Sequence, residues 1–306
     1  MLVGNKSAQD LLKKIWDKLK ESLFAQFFLV EGPWGIGKTT FVKNLVINPL
    51  ISEGLVHEAD VLFLEDLTKI TGKFHPIKVD EEQQVKVEDS IFYSLGTRQV
   101  SQWAYLRPIL KYKILLVQNM ERMTTSAANA FLKLLEEPPS YLLIWATTTS
   151  RYKLLDTIVS RAFLIKMYLI KQSQIKEFLK NNYSNLTQEQ ATLISDLSQG
   201  SIAAALEILQ SDYQELIKLV KNLKELLGLE WYYKEKILLL QEFFGIMWIN
   251  KGLDIIAGIL AQLGNNEGVK NIINIKSRNT YWLDATNINF LLYLVLSIEK
   301  SDSKKI

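Results

Sequence analysis

The stretch FFLVEGPWGIGKTTFV, residues 27–42, predicts how the first part of this chain folds. An apolar run leads into GPWGIGKT, residues 32–39, which matches the pattern G-x-x-x-x-G-K-[ST] in full and precedes a helical pattern. In such a loop, backbone N–H groups converge on phosphate oxygens at the start of the following helix. The stretch therefore predicts a strand, a phosphate-binding loop and a helix, in that order.

The loop predicts a binding site for ATP or ADP. Lys38 would neutralise the outer phosphates, and the hydroxyl group of Thr39 would bind Mg²⁺ when a nucleotide is present. A fold can also keep such a loop as structure alone, so occupancy by a nucleotide is an expectation. The predicted nucleotide-binding residues are Gly32, Pro33, Trp34, Gly35, Ile36, Gly37, Lys38, Thr39 and Thr40.

Further apolar runs predict that the first strand belongs to a buried parallel sheet. The runs are FFLVEG (27–32), VLFLE (61–65), ILLVQ (114–118) and LLIWATT (142–148), with room for crossover helices between them. An amphipathic helix is predicted at 7–24. The polar stretch 72–89 is predicted to be a surface excursion. This alternation is typical of an α/β fold.

The second half of the chain has a helical pattern. All six prolines lie within the first 139 residues. Ser173 is predicted to cap a helix, TQEQ (187–190) forms a capping box, and a third helix should begin near Gly200. Longer helical patterns follow at 213–227, 232–249 and 286–299. The predicted domains are 1–168 (α/β), 169–211 (a small helical lid) and 212–306 (all-α).

The amino-acid composition excludes some kinds of binding site and indicates a cellular compartment. The chain of 306 residues has no cysteine and two histidines, so disulfides and cysteine-ligated zinc are excluded. A net charge of +3 is too small to identify a nucleic-acid binder by itself. The most apolar run, 290–296, is too short to span a bilayer, and no secretion signal is apparent. We therefore expect a cytoplasmic protein without a membrane partner.

Two amides stand where a hydrolytic site needs acids. In nucleotide hydrolases with such a loop, a neighbouring strand ends in an Asp that holds Mg²⁺, often followed by a Glu that polarises water. Here LLVQNMERM (115–123) places Gln118 and Asn119 at those positions. An amide neither carries the charge nor has the basicity for these tasks, so the sequence predicts a degenerate hydrolytic site. Glu121 is the next acid along the chain.

The segment 121–163 resembles bacterial DNA polymerase III clamp-loader subunits of the AAA+ superfamily. MTTSAANAFLKLLEEPP is similar to their helix and LEEP turn, ATTT to their sensor 1 segment, and TIVSRA to their S-R-C motif. Against the family pattern D-E-A-D-x-M-T, the sequence QNMERMT replaces both acids with amides. It also departs from the family at Ala162, which replaces cysteine, at Ala203, where a sensor 2 arginine is expected, and in lacking the four-cysteine zinc module.

The resemblance implies a fold and a role. It implies an AAA+ domain followed by a helical lid and an oligomerising collar, most similar to the delta-prime class, whose members commonly lack hydrolysis. Arg161 would then be an arginine finger acting on the ATP of a neighbouring subunit. Thr148 would be the sensor 1 residue, with Thr147 and Thr149 as alternatives. Implied partners are gamma/tau-type and delta-type subunits, the sliding clamp and primed DNA.

Three alternatives stay open. Arg161 could be an ordinary surface arginine in a weak salt bridge. The chain could be an active gamma/tau-like ATPase in which Glu121 replaces the lost pair of acids. It could also be a nucleotide-sensing interaction module that uses the same fold outside replication.

Overall fold

Parallel strands organise the first part of the chain. This computed structural model describes residues 3–21, 26–65, 75–80, 83–87, 90–210, 256–257 and 266–277. The strands are β1 (Phe27–Glu31), β2 (Val56–Leu64), β3 (Gln83–Val87), β4 (Ser90–Ser94), β5 (Tyr112–Val117), β6 (Leu142–Thr148) and β7 (Phe163–Lys166). Within these ranges, five strands form one sheet in the order β2-β5-β6-β1-β7, and every neighbouring pair is parallel.

Helices connect the strands and continue beyond them. They are α1 (Lys6–Glu21), α2 (Lys38–Val42), α3 (Asn48–Ser52), α4 (Thr97–Tyr105), α5 (Thr125–Glu136), α6 (Asp156–Val159), α7 (Gln172–Asn182), α8 (Gln188–Leu197), α9 (Ile202–Gln210) and α10 (Asn266–Ser277). A π-helical turn at Lys43–Ile47 joins α2 to α3. Short 3₁₀ turns occur at Met120–Arg122 and Arg151–Lys153.

Apolar side chains fill both faces of the sheet. Residues of β5 and β6 are buried along the whole length of each strand, as expected for a parallel sheet covered on both sides. One core includes Phe28, whose ring stacks on that of Trp145 at a centroid distance of 4.4 Å. The other core includes Leu29 and Phe131. Phe28 and Leu29 are consecutive in β1, so their side chains enter opposite cores.

The predicted parallel sheet is confirmed. The run LLIWATT forms β6 at its predicted bounds, 142–148, and the other three apolar runs form β1, β2 and β5 with ends shifted by a few residues. The helix predicted at 7–24 is described from Lys6 to Glu21. β7 was missed because FLIK is short and is followed by more apolar residues, so only its pairing with β1 marks it as a strand.

The predicted surface excursion at 72–89 is partly wrong. Among its described residues, Ile77 is buried and pairs with Met123 as an isolated parallel bridge. β3 and β4 then form an antiparallel hairpin. The alternation in QQVKV, which pairs with SIFYS, is the sequence signal for this hairpin.

The helices after β7 match the sequence in type. The capping box is confirmed, since the Thr187 hydroxyl accepts from the Gln190 N–H (3.2 Å) and the Gln190 side chain accepts from the Thr187 N–H (2.9 Å). The prediction that Ser173 caps a helix is wrong, because α7 begins at Gln172 and Ser173 lies inside it. The helices predicted at 213–227, 232–249 and 286–299 lie outside the described residues.

The described residues belong to two compact units. The first contains residues 3–175 and 200–203, and therefore the whole parallel sheet. The second contains residues 176–199 and those described after 203. The predicted division at 168 and 211 stays a prediction. No helix in the described ranges is long and apolar enough to cross a membrane.

Candidate nucleotide site

The glycine-rich loop lies at the carboxyl edge of the sheet. It leaves β1 after Glu31 and enters α2 at Lys38, which is where ligands bind in open parallel sheets. Gly35 and Gly37 have φ angles of 76° and 90°, a left-handed conformation that glycine adopts without strain. At Gly35 a side chain would also collide with the hydroxyl group of Ser201. The loop therefore needs glycine for its curvature and for close approach.

The side chain of Lys38 lies within the loop. Its Nζ donates to the carbonyl oxygens of Gly32 (2.7 Å) and Pro33 (2.9 Å), and the residue is 7% exposed. Burial lowers the pKa of Lys38 from 10.5 to about 8, while the charge of Glu121 raises it against that effect. A cation is thus held, partly desolvated, where the loop curls around the expected phosphates.

This burial predicts a pH-dependent difference in stability between the wild type and Lys38→Met. Below pH about 8 the folded and unfolded chains both hold the lysine proton, and between about 8 and 10.5 only the unfolded chain does. In that window the free energy of unfolding of the wild type should therefore rise by roughly 1 kcal/mol per pH unit relative to the variant. The gain is complete above the unfolded-state pKa and is lost as the pH falls through the folded-state pKa.

Urea denaturation of both proteins at a series of pH values measures this difference. A difference that stays constant across the window would contradict the burial of a charged Lys38.

Gln118 and Asn119 lie at the same edge of the sheet as the loop. They follow β5, which is separated from β1 by β6 alone. The N–H of Gln118 donates to Leu64 O (3.0 Å), and the N–H of Asn119 donates to the Thr147 hydroxyl group (2.9 Å). Asn119 has a φ of 48°, a left-handed conformation that asparagine tolerates better than most residues. The strand end that should present acids therefore presents amides.

Arg122 is a residue of this edge that the sequence interpretation missed. The side chain is 4% exposed, and its guanidinium donates to backbone carbonyls from three segments of the chain. Nη2 donates to Glu65 O (3.0 Å) and Gln118 O (2.9 Å), and Nη1 donates to His75 O (3.0 Å). Arg122 thus ties the ends of β2 and β5 together. No spacing in the sequence indicates this role.

Glu121 faces the end of β6. Its Oε1 accepts from the N–H of Thr149 (2.9 Å) and from the hydroxyl group of Thr149 (2.7 Å). Its Oε2 is buried and has no hydrogen-bond partner among the residues that the structure describes. This carboxylate also interacts electrostatically with Lys38. One acid is therefore present beside the loop, three residues beyond Gln118.

The three consecutive threonines have different partners. Thr147 accepts from the Asn119 N–H, whereas the Thr148 hydroxyl group, in a fully buried side chain, bonds to Ser150 O (3.1 Å) and Ser150 N (3.2 Å). Thr149 alone of the three donates to Glu121. The assignment of sensor 1 to Thr148 stays a prediction, and Thr149 is the threonine that contacts an acid of the site.

The loop and its neighbours fit a nucleotide with Mg²⁺. The glycine loop presents backbone N–H groups, Lys38 supplies a cation, and the unbonded Oε2 of Glu121 is a hard oxygen ligand. The described residues contain no group of three or more His, Cys, Asp or Glu suited to a metal. A protein site for Mg²⁺ usually has one or two carboxylates and takes its other ligands from phosphates and water.

Arg161 and Ala203 lie at different places in the first unit. One Nη of Arg161 donates to Glu136 Oε1 (2.6 Å) and the other to Thr157 O (2.6 Å), and the side chain is 33% exposed. The surface salt bridge considered as an alternative for Arg161 is therefore present. Ala203 donates its N–H to Gly35 O (2.9 Å), so the position of the expected sensor 2 arginine directly contacts the loop.

Comparison with known proteins places the chain in a family. The sequence model of the family described as DNA polymerase III, delta subunit, matches residues 7–171, more than half of the chain. The chain belongs to this family. The resemblance to DNA polymerase III clamp-loader subunits is thereby confirmed, although the comparisons do not separate the delta-prime from the gamma/tau class.

Curated relatives of this family member carry gamma or tau names. The DNA polymerase III subunit gamma of Buchnera aphidicola subsp. Schizaphis graminum is 29% identical over 219 residues, which is 66% of this chain and 56% of that protein. The subunit tau/gamma of Haemophilus influenzae is 27% identical over 236 residues, covering 72% of this chain and 32% of that one. The chain thus spans about half, or less, of the length of these relatives.

Solved structures show the same fold. A DNA polymerase III gamma subunit-related protein of Thermotoga maritima superposes with a TM-score of 0.54 and 20% identity, covering 95% of this chain and 99% of that one. A point variant of RuvB from Thermotoga maritima gives a TM-score of 0.50 and 12% identity, covering 96% of this chain and 87% of that one. The predicted AAA+ fold class is confirmed.

Proposed function

We propose that this chain is a delta-prime-like stator subunit of the DNA polymerase III clamp loader. In this role it helps to load the sliding clamp on primed DNA and offers Arg161 to ATP bound by an adjacent gamma/tau-type subunit. A delta-type subunit completes the set of expected partners. The protein acts in the cytoplasm as a component of the polymerase holoenzyme.

One observation carries this proposal: the strand end beside the loop presents Gln118 and Asn119. An amide side chain cannot take up the proton of an attacking water, and it lacks the negative charge that binds Mg²⁺ strongly. Replacing both acids removes several kcal/mol of transition-state stabilisation, on the order of what such groups contribute. ATP or ADP in loop 32–39 is therefore held and not consumed.

The position of Arg161 supports its action on another subunit's nucleotide. Its contacts are to α5 and α6, and the ion pair with Glu136 is half-exposed, so the guanidinium can exchange this partner for a phosphate at small cost. Arginine suits this role because its planar fork binds phosphate oxygens in pairs.

The first test measures ATP turnover and nucleotide binding by the purified chain. We expect binding without turnover, because the site has a loop and a lysine but amides at the two strand-end positions, Gln118 and Asn119. Lys38→Ala, assayed alongside, should abolish binding and so identifies any contaminating ATPase. Steady turnover by the wild type that disappears in Lys38→Ala would refute the stator proposal.

A gamma/tau-like ATPase is the second candidate. Two observations favour it: the curated relatives carry gamma and tau names, and Glu121 stands beside Lys38. The same assay decides between the two. A third candidate, a nucleotide-sensing module outside replication, predicts that the chain does not co-purify with clamp-loader subunits.

A further inference from the structure

We propose that Glu121 is the metal-facing carboxylate of this site and that, with the hydroxyl group of Thr39, it recruits Mg²⁺ to a nucleotide held in loop 32–39. The inference rests on the proposed function, because it concerns the nucleotide that the stator holds. It assigns the metal to a residue three positions beyond the first of the two amides.

Hydrogen bonds to Oε1 fix the orientation of the Glu121 carboxylate, and Oε2 accepts none from the described residues. Thr149 donates both its N–H and its hydroxyl hydrogen to Oε1, at 2.9 and 2.7 Å. Lys153 Nζ donates to the same Thr149 hydroxyl oxygen (3.2 Å), which leaves the hydroxyl hydrogen for Glu121. Within the described part of the chain Oε2 is buried without a hydrogen-bond partner, and a carboxylate oxygen in that situation is unfavourable unless it binds something.

Lys38 does not satisfy this oxygen. Its ammonium donates to Gly32 O and Pro33 O, while the Glu121 charge acts on it through space. The N–H of Gly32 in the loop donates to Thr148 O (3.1 Å), next to the Thr149 that holds Glu121. Oε2 therefore adds negative charge beside the loop into which phosphates should bind. Phosphates and a carboxylate repel one another unless a cation lies between them, and Mg²⁺ prefers both kinds of oxygen.

The backbone explains how an acid so far along the chain returns to the site. Asn119 turns the chain through its left-handed conformation, and the 3₁₀ turn Met120–Arg122 follows at once. Met120 and Arg122 are buried on either side of Glu121, which fixes the direction of its side chain toward β6. Arg122 in turn is held by the carbonyls of β2 and β5.

A metal ligand at this place does not restore hydrolysis. A carboxylate committed to Mg²⁺ is not free to take a proton from water, and the two strand-end positions before it are amides. The inference itself therefore predicts only that the nucleotide is held more tightly.

The test measures the affinity of the purified chain for ADP by calorimetry, in EDTA and in saturating Mg²⁺. The wild type should bind ADP about tenfold more tightly, or better, with Mg²⁺. Glu121→Gln should lose most of this gain and should bind at least as tightly as the wild type in EDTA, because a repelling charge is gone. Glu137→Gln, which removes an exposed carboxylate after α5, should behave as the wild type.

Several outcomes would overturn the inference: an equal Mg²⁺ gain in Glu121→Gln, no gain in the wild type, or no binding of ADP. If the glutamine variant fails to fold, Glu121→Asp replaces it. This variant keeps the charge and shortens the side chain by one methylene, so it should lower the gain several-fold, and an unchanged gain would count against the proposal.

Failure here is distinct from failure of the proposed function. The finger role of Arg161 concerns a neighbour's nucleotide and does not need Glu121. Conversely, ATP turnover by the wild-type chain would refute the stator while leaving the Mg²⁺ dependence of ADP binding in place.

Discussion

In the proposed finger role, replacing Arg161 with alanine is expected to leave the loader assembled and to remove most of the ATP turnover at the interface where this side chain acts. An arginine finger stabilises negative charge on the transferring phosphoryl group and contributes on the order of 10³–10⁵ in kcat at its own site. The remaining sites of the loader keep their fingers. We therefore expect a clear but partial loss of DNA-stimulated ATP hydrolysis by the whole assembly.

The experiment compares reconstituted loaders that contain wild-type, Arg161→Ala or Glu136→Gln chains. The glutamine variant breaks the same ion pair as the alanine variant but keeps the guanidinium, so it should hydrolyse ATP at close to the wild-type rate. The pair is half-exposed and is worth at most about 1 kcal/mol, so neither variant should unfold. Unchanged turnover with Arg161→Ala would remove the arginine from the mechanism.

Replacing Arg122 with leucine is expected to lower the free energy of unfolding by about 3 kcal/mol or more, because several hydrogen bonds from one charged donor are lost and each contributes about 1.5–3 kcal/mol. Leucine fills part of the space but leaves the carbonyls of Glu65, His75 and Gln118 without their donor. These hydrogen bonds are part-buried, so water can replace the lost donor only in part. The carboxyl edge of the sheet, where the loop also lies, should loosen first.

Urea denaturation of the variant, followed by circular dichroism, measures this effect. Arg98→Ala is the matched control, because Arg98 is also paired, with Asp80 at 2.8 Å, but its side chain is 64% exposed. That control should change the stability by less than about 1 kcal/mol. A similarly small loss for Arg122→Leu would show that its carbonyl partners find water instead.

The sequence predicts those parts of the fold that depend on local pattern. Continuous apolar runs identify β1, β5, β6 and the second half of β2. In β5 and β6 every residue is buried, because a strand covered on both faces needs no polar residues. β7 cannot be recognised in this way, because only its pairing with β1 shows that it is a strand. The two segments are far apart in the chain and pair in the register Phe28↔Phe163. The first strand of the hairpin β3–β4 lies in the charged stretch 72–89. The alternation in QQVKV is its only sequence signal, and it is short.

In the candidate site, too, local features could be predicted from the sequence and contacts between distant segments could not. The loop 32–39 is a local motif, so its residues and their order could be predicted from the sequence. The partnership of Glu121 with Thr149 could not, because it depends on where the chain turns after β5 and after β6. A single sequence also cannot decide among three adjacent threonines, whose directions are set by the end of a strand.

The left-handed backbone at Asn119 bears on any attempt to place an acid at this strand end. Asparagine adopts a φ of 48° with little strain, whereas a glutamate in the same conformation would be less stable by roughly 1 kcal/mol. A mutation that introduced a glutamate here would therefore destabilise the turn, and the neighbouring position 118 would still be an amide. Building a pair of acids at this strand end thus requires two substitutions and a turn that tolerates the second.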